Sequence, residues 1–113
     1  MLRYIAVPLL FFVTPALAQQ VPRLDIQSTC KAAVALDATD KSPEANCMRD
    51  ETGARDELAK QWSSFAEPLR KRCIEETSIG GYPSYVEVLT CVQTASGNTT
   101  APAPTTTYRR PRK

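Results

Sequence analysis

Four cysteines, Cys30, Cys47, Cys73 and Cys91, follow an apolar leader in a chain of 113 residues, and together they narrow the possible folds more than any other feature. The leader has three parts. Arg3 supplies a positive start, residues 4–13 carry no charge, and Thr14-Pro15-Ala16-Leu17-Ala18 ends in small residues. This is the layout of a secretory signal over 1–18, with cleavage expected before Gln19. Pro15 ends the apolar helix just ahead of the segment a peptidase reads extended. An apolar run of about ten residues falls short of the roughly 20 that cross a bilayer, so the leader reads as a signal and not an anchor. No second apolar run follows, so no transmembrane segment is expected in the mature chain. Export places the cysteines in an oxidising compartment, periplasmic or extracellular, where an even count in a short chain reads as a disulfide framework. A domain this small buries too little surface to be comfortably stable by packing alone, which is the need such bonds meet.

The apolar periodicity downstream is helical. Ile26, Cys30, Ala33 and Val34 stand at i, i+4, i+7 and i+8 and predict a first helix that runs out in the polar cluster 37–41. Ser42-Pro43-Glu44 is a start signal: Ser42 can accept from orphan backbone N–H groups, Pro43 loses nothing at the first helical position, and Glu44 complements the positive helix end. A second helix from 43 to about 62 follows, with Cys47, Ala54, Leu58 and Trp62 along one face. Glu51/Arg55 and Asp56/Lys60 are expected as ion pairs on the solvated side. Phe65, Leu69 and Cys73 continue the same period, but Pro68 inside one long helix would cost about 3 kcal/mol. A break near residues 63–64 avoids that cost, and Ser64-Phe65-Ala66-Glu67 has capping-box spacing for a new start. The third helix should end by Ser78, before Gly80-Gly81. Ser84-Tyr85-Val86-Glu87 is a second capping box, ahead of a fourth helix that buries Tyr85, Val88, Leu89, Cys91 and Val92. No alternating run is long enough for a strand. The expected fold is therefore all-α, a small bundle of about four helices in two hairpins over 19–95, braced by two disulfides. Residues 96–107 include no aliphatic side chain larger than Ala, so 96–113 is expected to be a disordered Thr/Pro-rich tail with a basic end.

Four cysteines allow three pairings. In an antiparallel helical hairpin, residues equidistant from the turn face one another. The midpoint of Cys30 and Cys47 falls in the predicted first turn, and that of Cys73 and Cys91 falls within 80–83. Cys47 with Cys73 fails the same test, because the two lie at unequal distances from the corner near residue 63, an offset of roughly 9 Å along the axis. Cys30 with Cys73 and Cys47 with Cys91 stays open if the hairpins pack side by side. Pairing across each hairpin is preferred.

The composition removes several chemistries. The chain has no histidine, which takes away the commonest general base, the usual triad partner and a principal zinc ligand. The cysteines lack any close C-x₂₋₄-C pair, which argues against zinc and against a thioredoxin-type site, so no cofactor is expected. Asp50/Glu51, Asp56/Glu57 and Glu75/Glu76 are neighbouring carboxylates. Neighbours on a helix point about 100° apart, so a solvated face is the simpler reading than an acid/base dyad. Residues 19–95 hold nine Lys and Arg against twelve Asp and Glu, a net charge of −3, while the last eighteen residues carry four basic groups and no acid. The weakly basic total averages an acidic body and a basic tip, and does not describe a nucleic-acid-binding surface. Arg109, Arg110, Arg112 and Lys113 at the tip, and Arg70-Lys71-Arg72 on the third helix, are the candidate anion-binding residues.

Ile26-Gln27 before Cys30, Ala32-Ala33 after it, Asp50-Glu51 with Ala54-Arg55 and Leu58 after Cys47, then Trp62, Phe65 and Cys73, form one pattern with Pro83-Ser84-Tyr85-Val86-Glu87 leading to Leu89-Thr90-Cys91. Over about residues 25–93 this resembles a group of short exported four-cysteine helical proteins of rhizobial and related alphaproteobacteria. The resemblance implies a bacterial periplasmic or secreted setting and no activity; Pro68 and the basic tail depart from it.

These observations point to a non-enzymatic interaction module that binds an envelope component or a protein partner. The alternative is a periplasmic stress holdase opened by acid, against which two disulfides argue. An enzyme working with carboxylates alone ranks below both.

Overall fold

The computed structural model describes residues 20–97 and 107–112. The proposed signal at 1–18, the stretch 98–106 and Lys113 lie outside the described residues. Four helices carry the fold: α1 (Ile26–Lys31), α2 (Pro43–Gln61), α3 (Glu67–Ser78) and α4 (Tyr85–Ser96). A two-residue strand β1 (Val34–Ala35) follows α1, and its partner β2 (Tyr108–Arg109) comes from the chain's end. The two pair antiparallel, Val34 opposite Arg109 and Ala35 opposite Tyr108.

Both disulfides span a hairpin, Cys30–Cys47 between α1 and α2 and Cys73–Cys91 between α3 and α4, with Cα separations of 5.4 and 5.8 Å. At sequence separations of 17 and 18, each restricts the unfolded chain by roughly 3 kcal/mol in the chain-entropy account. The core lies where α2 and α3 pack on α4, around Leu58, Trp62, Phe65, Tyr85, Val88, Leu89 and Val92. Leu58, Val88 and Val92 are fully enclosed, and each burial of this kind contributes roughly 1.5–3 kcal/mol.

Helix boundaries follow local chemistry, with instructive departures. The first helix stops at Lys31, so Val34 leaves the expected buried face and stands about half exposed in β1. Asp25 caps α1, its carboxylate accepting from Ser28 Oγ at 2.7 Å and Ser28 N at 3.2 Å. Those bonds hold its pKa below the ordinary carboxylate range. Ser42 precedes α2 but makes no side-chain cap; Asp40 accepts from Ser42 N and from Asn46 Nδ2, both at 2.9 Å. The corner forms as a 3₁₀ turn over Trp62–Ser64, and Pro68 sits in the first turn of α3. The proposed box at 64–67 is not used there, since Ser64 Oγ donates to Gln61 O at 2.6 Å and Ala66 occupies the cap. Gly80 and Gly81, both at φ 83°, turn the chain back towards α4, and Gly97 at φ 74° closes α4 in the left-handed region.

Candidate functional site

The start of α4 is where distant parts of the chain meet. A helix begins with backbone N–H groups that have no partner within it. Ser84 caps α4 by accepting from Glu87 N at 3.2 Å. The two amides before that are served from another helix. Glu51, eight residues into α2 and fully buried, accepts through Oε2 from Tyr85 N at 2.6 Å and from Val86 N at 3.4 Å. Its Oε1 accepts from Ser84 Oγ at 2.6 Å. Thr77, from α3, completes the cap by accepting from Ser84 N at 2.9 Å and donating to Glu87 Oε2 at 2.8 Å. The second capping box is therefore real at Ser84, while Glu87 closes it through Thr77.

The fourth donor to Glu51 comes from the end of the chain. Arg110 Nε lies 2.9 Å from Glu51 Oε1, and Arg110 Nη2 donates to Tyr108 Oη at 2.8 Å. Tyr108 in turn donates to Asp50 Oδ2 at 2.7 Å, and its ring, 5 % exposed, packs against the Cys30–Cys47 bond beside Ala33 and Met48. Burial first, and the bond to Asp50 second, push the Tyr108 phenol well above its ordinary pKa. Residues 107–112 thus form a strap across α1 and α2. This corrects the expectation of a tail disordered throughout 96–113: the aromatic ring and the guanidinium supply the burial and charge pairing that Thr and Pro cannot.

The candidate anion-binding residues are consequently divided. Arg110 is the ion-pair partner of Glu51, and only Arg109 and Arg112 of the described tip are exposed. In the other cluster, Lys71 Nζ lies 3.9 Å from Glu75 and Arg72 Nε 3.6 Å from Glu76, while Arg70 turns inward over Trp62. Glu51 also leaves the solvated face predicted for it. Arg55 instead lies 3.6 Å from Asp56, and Lys60 3.6 Å from Glu57. The one signal in the sequence for Glu51's role is its place four residues after Cys47 and seven before Leu58, on the side of α2 that turns inward.

The chain matches no family model, no curated protein and no solved structure.

Chemically, Glu51 is an acceptor with four donors around it, and it ties the start of α4 and the strap to α2. No group of three or more His, Cys, Asp or Glu side chains converges as a metal site among the described residues, and no described helix is long and apolar enough to cross a membrane. The surface carries shallow depressions. One of about 560 Å³ lies between the lead-in to α1 and the side chains of Met48, Arg55 and Tyr85. Another, of about 310 Å³, lies between the lead-in and the first two turns of α3.

Proposed function

We propose that the exported chain is a non-enzymatic interaction module of a bacterial envelope, periplasmic or secreted, that binds a protein partner or an anionic envelope component. Its two disulfides suit an oxidising compartment. The observation that carries the reading is the Glu51 cluster: the buried carboxylate, its hydroxyl neighbours and the Arg110 guanidinium are engaged with one another as a brace. A scaffold locked in this way, by covalent bonds and by a buried ion pair, presents a fixed surface at little ordering cost on binding. Arg109 and Arg112 at the strap, and the depression beside Arg70, are the parts of that surface suited to anionic groups. The resemblance to short exported alphaproteobacterial proteins supports the setting.

Photo-crosslinking of the oxidised chain in envelope extract tests the reading. A small set of partners, lost when the disulfides are reduced and the chain unfolded, is the expected result. Turnover of a substrate dependent on Glu51 or Asp50 would overturn it. Suppression of client aggregation near pH 4 without specific partners would favour the holdase instead. Mass spectrometry of the exported chain should find Gln19 at its start, and an intact 1–18 segment would remove export from the account.

A further inference from the structure

Arg70 differs from the other basic residues of α3. Lys71 and Arg72 each face a glutamate one turn on, whereas Arg70 has no ion pair among the described residues. Its guanidinium lies over the Trp62 ring, with Cζ 5.3 Å from the ring centroid, which fixes the head group against an aromatic wall. Nε and Nη1 are withdrawn from water and have no hydrogen-bond acceptor among the described residues. Charged donors that have lost water and gained no acceptor are a standing cost to the fold, and an oxyanion would relieve it. Arg70 and Trp62 both line the depression of about 310 Å³, whose remaining walls include Pro22 and Ile74. Arg70 lies on the wall of that space, and a turn about its side-chain torsions brings N–H groups into it.

We propose that this depression binds a small amphipathic carboxylate, its head group on Arg70 and its apolar body against Trp62, Ile74 and Pro22. The charges around the rim select the class. Arg70 and Lys71 meet Glu67 and Glu75 there, two charges of each sign, so the site has no net positive charge. A doubly charged phosphate would meet repulsion from Glu67 and Glu75. A planar monoanion matches the edge of a single guanidinium. The size falls at the lower end of small-molecule sites. This inference rests on the domain being a binding module, and names the ligand class of one surface.

Trp62 is the chain's single tryptophan and reports on the site directly. The oxidised chain is titrated with decanoate below its micelle-forming concentration, followed by Trp62 fluorescence and by calorimetry. Decanamide and inorganic phosphate serve as probes of charge and of class. Saturable decanoate binding is expected, at least tenfold tighter than decanamide, with inorganic phosphate weaker still. Arg70→Gln should weaken it at least tenfold and Arg72→Gln leave it unchanged. Ile74→Phe, which narrows the depression, keeps Arg70 and leaves Trp62 the single tryptophan, should also weaken it while far-UV circular dichroism stays helical. No saturable binding, equal affinity for decanamide, phosphate bound as tightly as decanoate, or unchanged binding by Arg70→Gln would each overturn the site. Specific partner capture alongside any of those results would leave the module reading standing and remove only this site.

Discussion

Arg110 reaches back 59 positions to set its Nε 2.9 Å from Glu51 Oε1, so the strap is bonded to the middle of α2. The glutamate is wholly enclosed and the arginine side chain is 20 % exposed. A buried ion pair gains little over an apolar pair of the same shape, because both charges lose water. Its weight lies in the asymmetry: with one partner gone, the other is left charged in a poor solvent. Glu51 also serves α4 through Tyr85 N, Val86 N and Ser84 Oγ, so the strap, α2 and α4 share one acceptor.

Glu51→Ala should therefore be among the most damaging single changes in the body. It leaves two backbone amides, a hydroxyl and a guanidinium without their acceptor, and removal of one member of a buried pair costs about 3–5 kcal/mol. For a domain of this size that is a large part of the total stability. Glu51→Gln keeps an acceptor oxygen and should lose less. Urea unfolding of the oxidised protein measures both, and a loss for Glu51→Ala within about 0.5 kcal/mol would mean the cluster is not a brace.

Deleting 107–113 should destabilise the domain, contrary to what a disordered tail would do. Arg110→Ala should reproduce most of the effect, about 1–3 kcal/mol for a lost charged hydrogen bond, while exposed Arg109→Ala should be silent. Each kcal/mol lowers the melting temperature of so small a domain by roughly 4–8 °C. Equal melting temperatures for Arg109→Ala and Arg110→Ala would show that the strap is held without the Glu51–Arg110 pair.

Much of the helical body was legible in the sequence because its determinants are local. Pro68 forces a corner wherever the packing lies, the polar cluster 37–41 and Gly80-Gly81 mark two turns, and equidistance from those two turns favours Cys30 with Cys47 and Cys73 with Cys91. Val34 lies in β1 and not on the predicted helical face, because an apolar period cannot tell a helix's last turn from a strand that begins there. Glu51 and Arg110 depart from expectation for a different reason. A carboxylate at a helical position with Arg four residues on is the pattern of a surface pair, and only the arrival of α4 and of the chain's end turns that face inward. Tyr108 was the overlooked signal, since a large aromatic in a segment otherwise made of small residues has to be buried somewhere or waste its apolar area.

The strap should also loosen in alkali. Tyr108 has its folded pKa raised above the unfolded value of 10.0, by burial and by the bond to Asp50. A group raised in this way contributes stability that is fully present below about pH 10 and is lost as pH climbs from there towards the folded pKa. Ultraviolet titration should show a phenol ionising above the ordinary tyrosine range, and stability should fall above pH 10. Tyr108→Phe should remove the strap's share of that fall. If the wild-type protein and Tyr108→Phe decline in parallel, the phenol is not what the alkali attacks.

The two disulfides should resist reduction unequally, and the strap should be the cause. Cys30 and Cys47 are fully enclosed and share a cluster with the Tyr108 ring, whereas Cys91 on the opposite hairpin is partly exposed. Exchange requires a thiolate to reach a sulfur, so access sets the order when the attacking thiol is the same. Under native conditions with dithiothreitol, quenching by alkylation and mass spectrometry should find Cys73 and Cys91 labelled before Cys30 and Cys47. Tyr108→Ala, or deletion of 107–113, uncovers the first bond and should speed its reduction several-fold while leaving the rate at Cys73–Cys91 unchanged. A general loosening of the fold would raise both rates together, so the ratio between them separates shielding from instability. Equal rates in the intact protein, or a ratio unmoved by Tyr108→Ala, would mean that reduction proceeds through global unfolding and that the strap guards nothing.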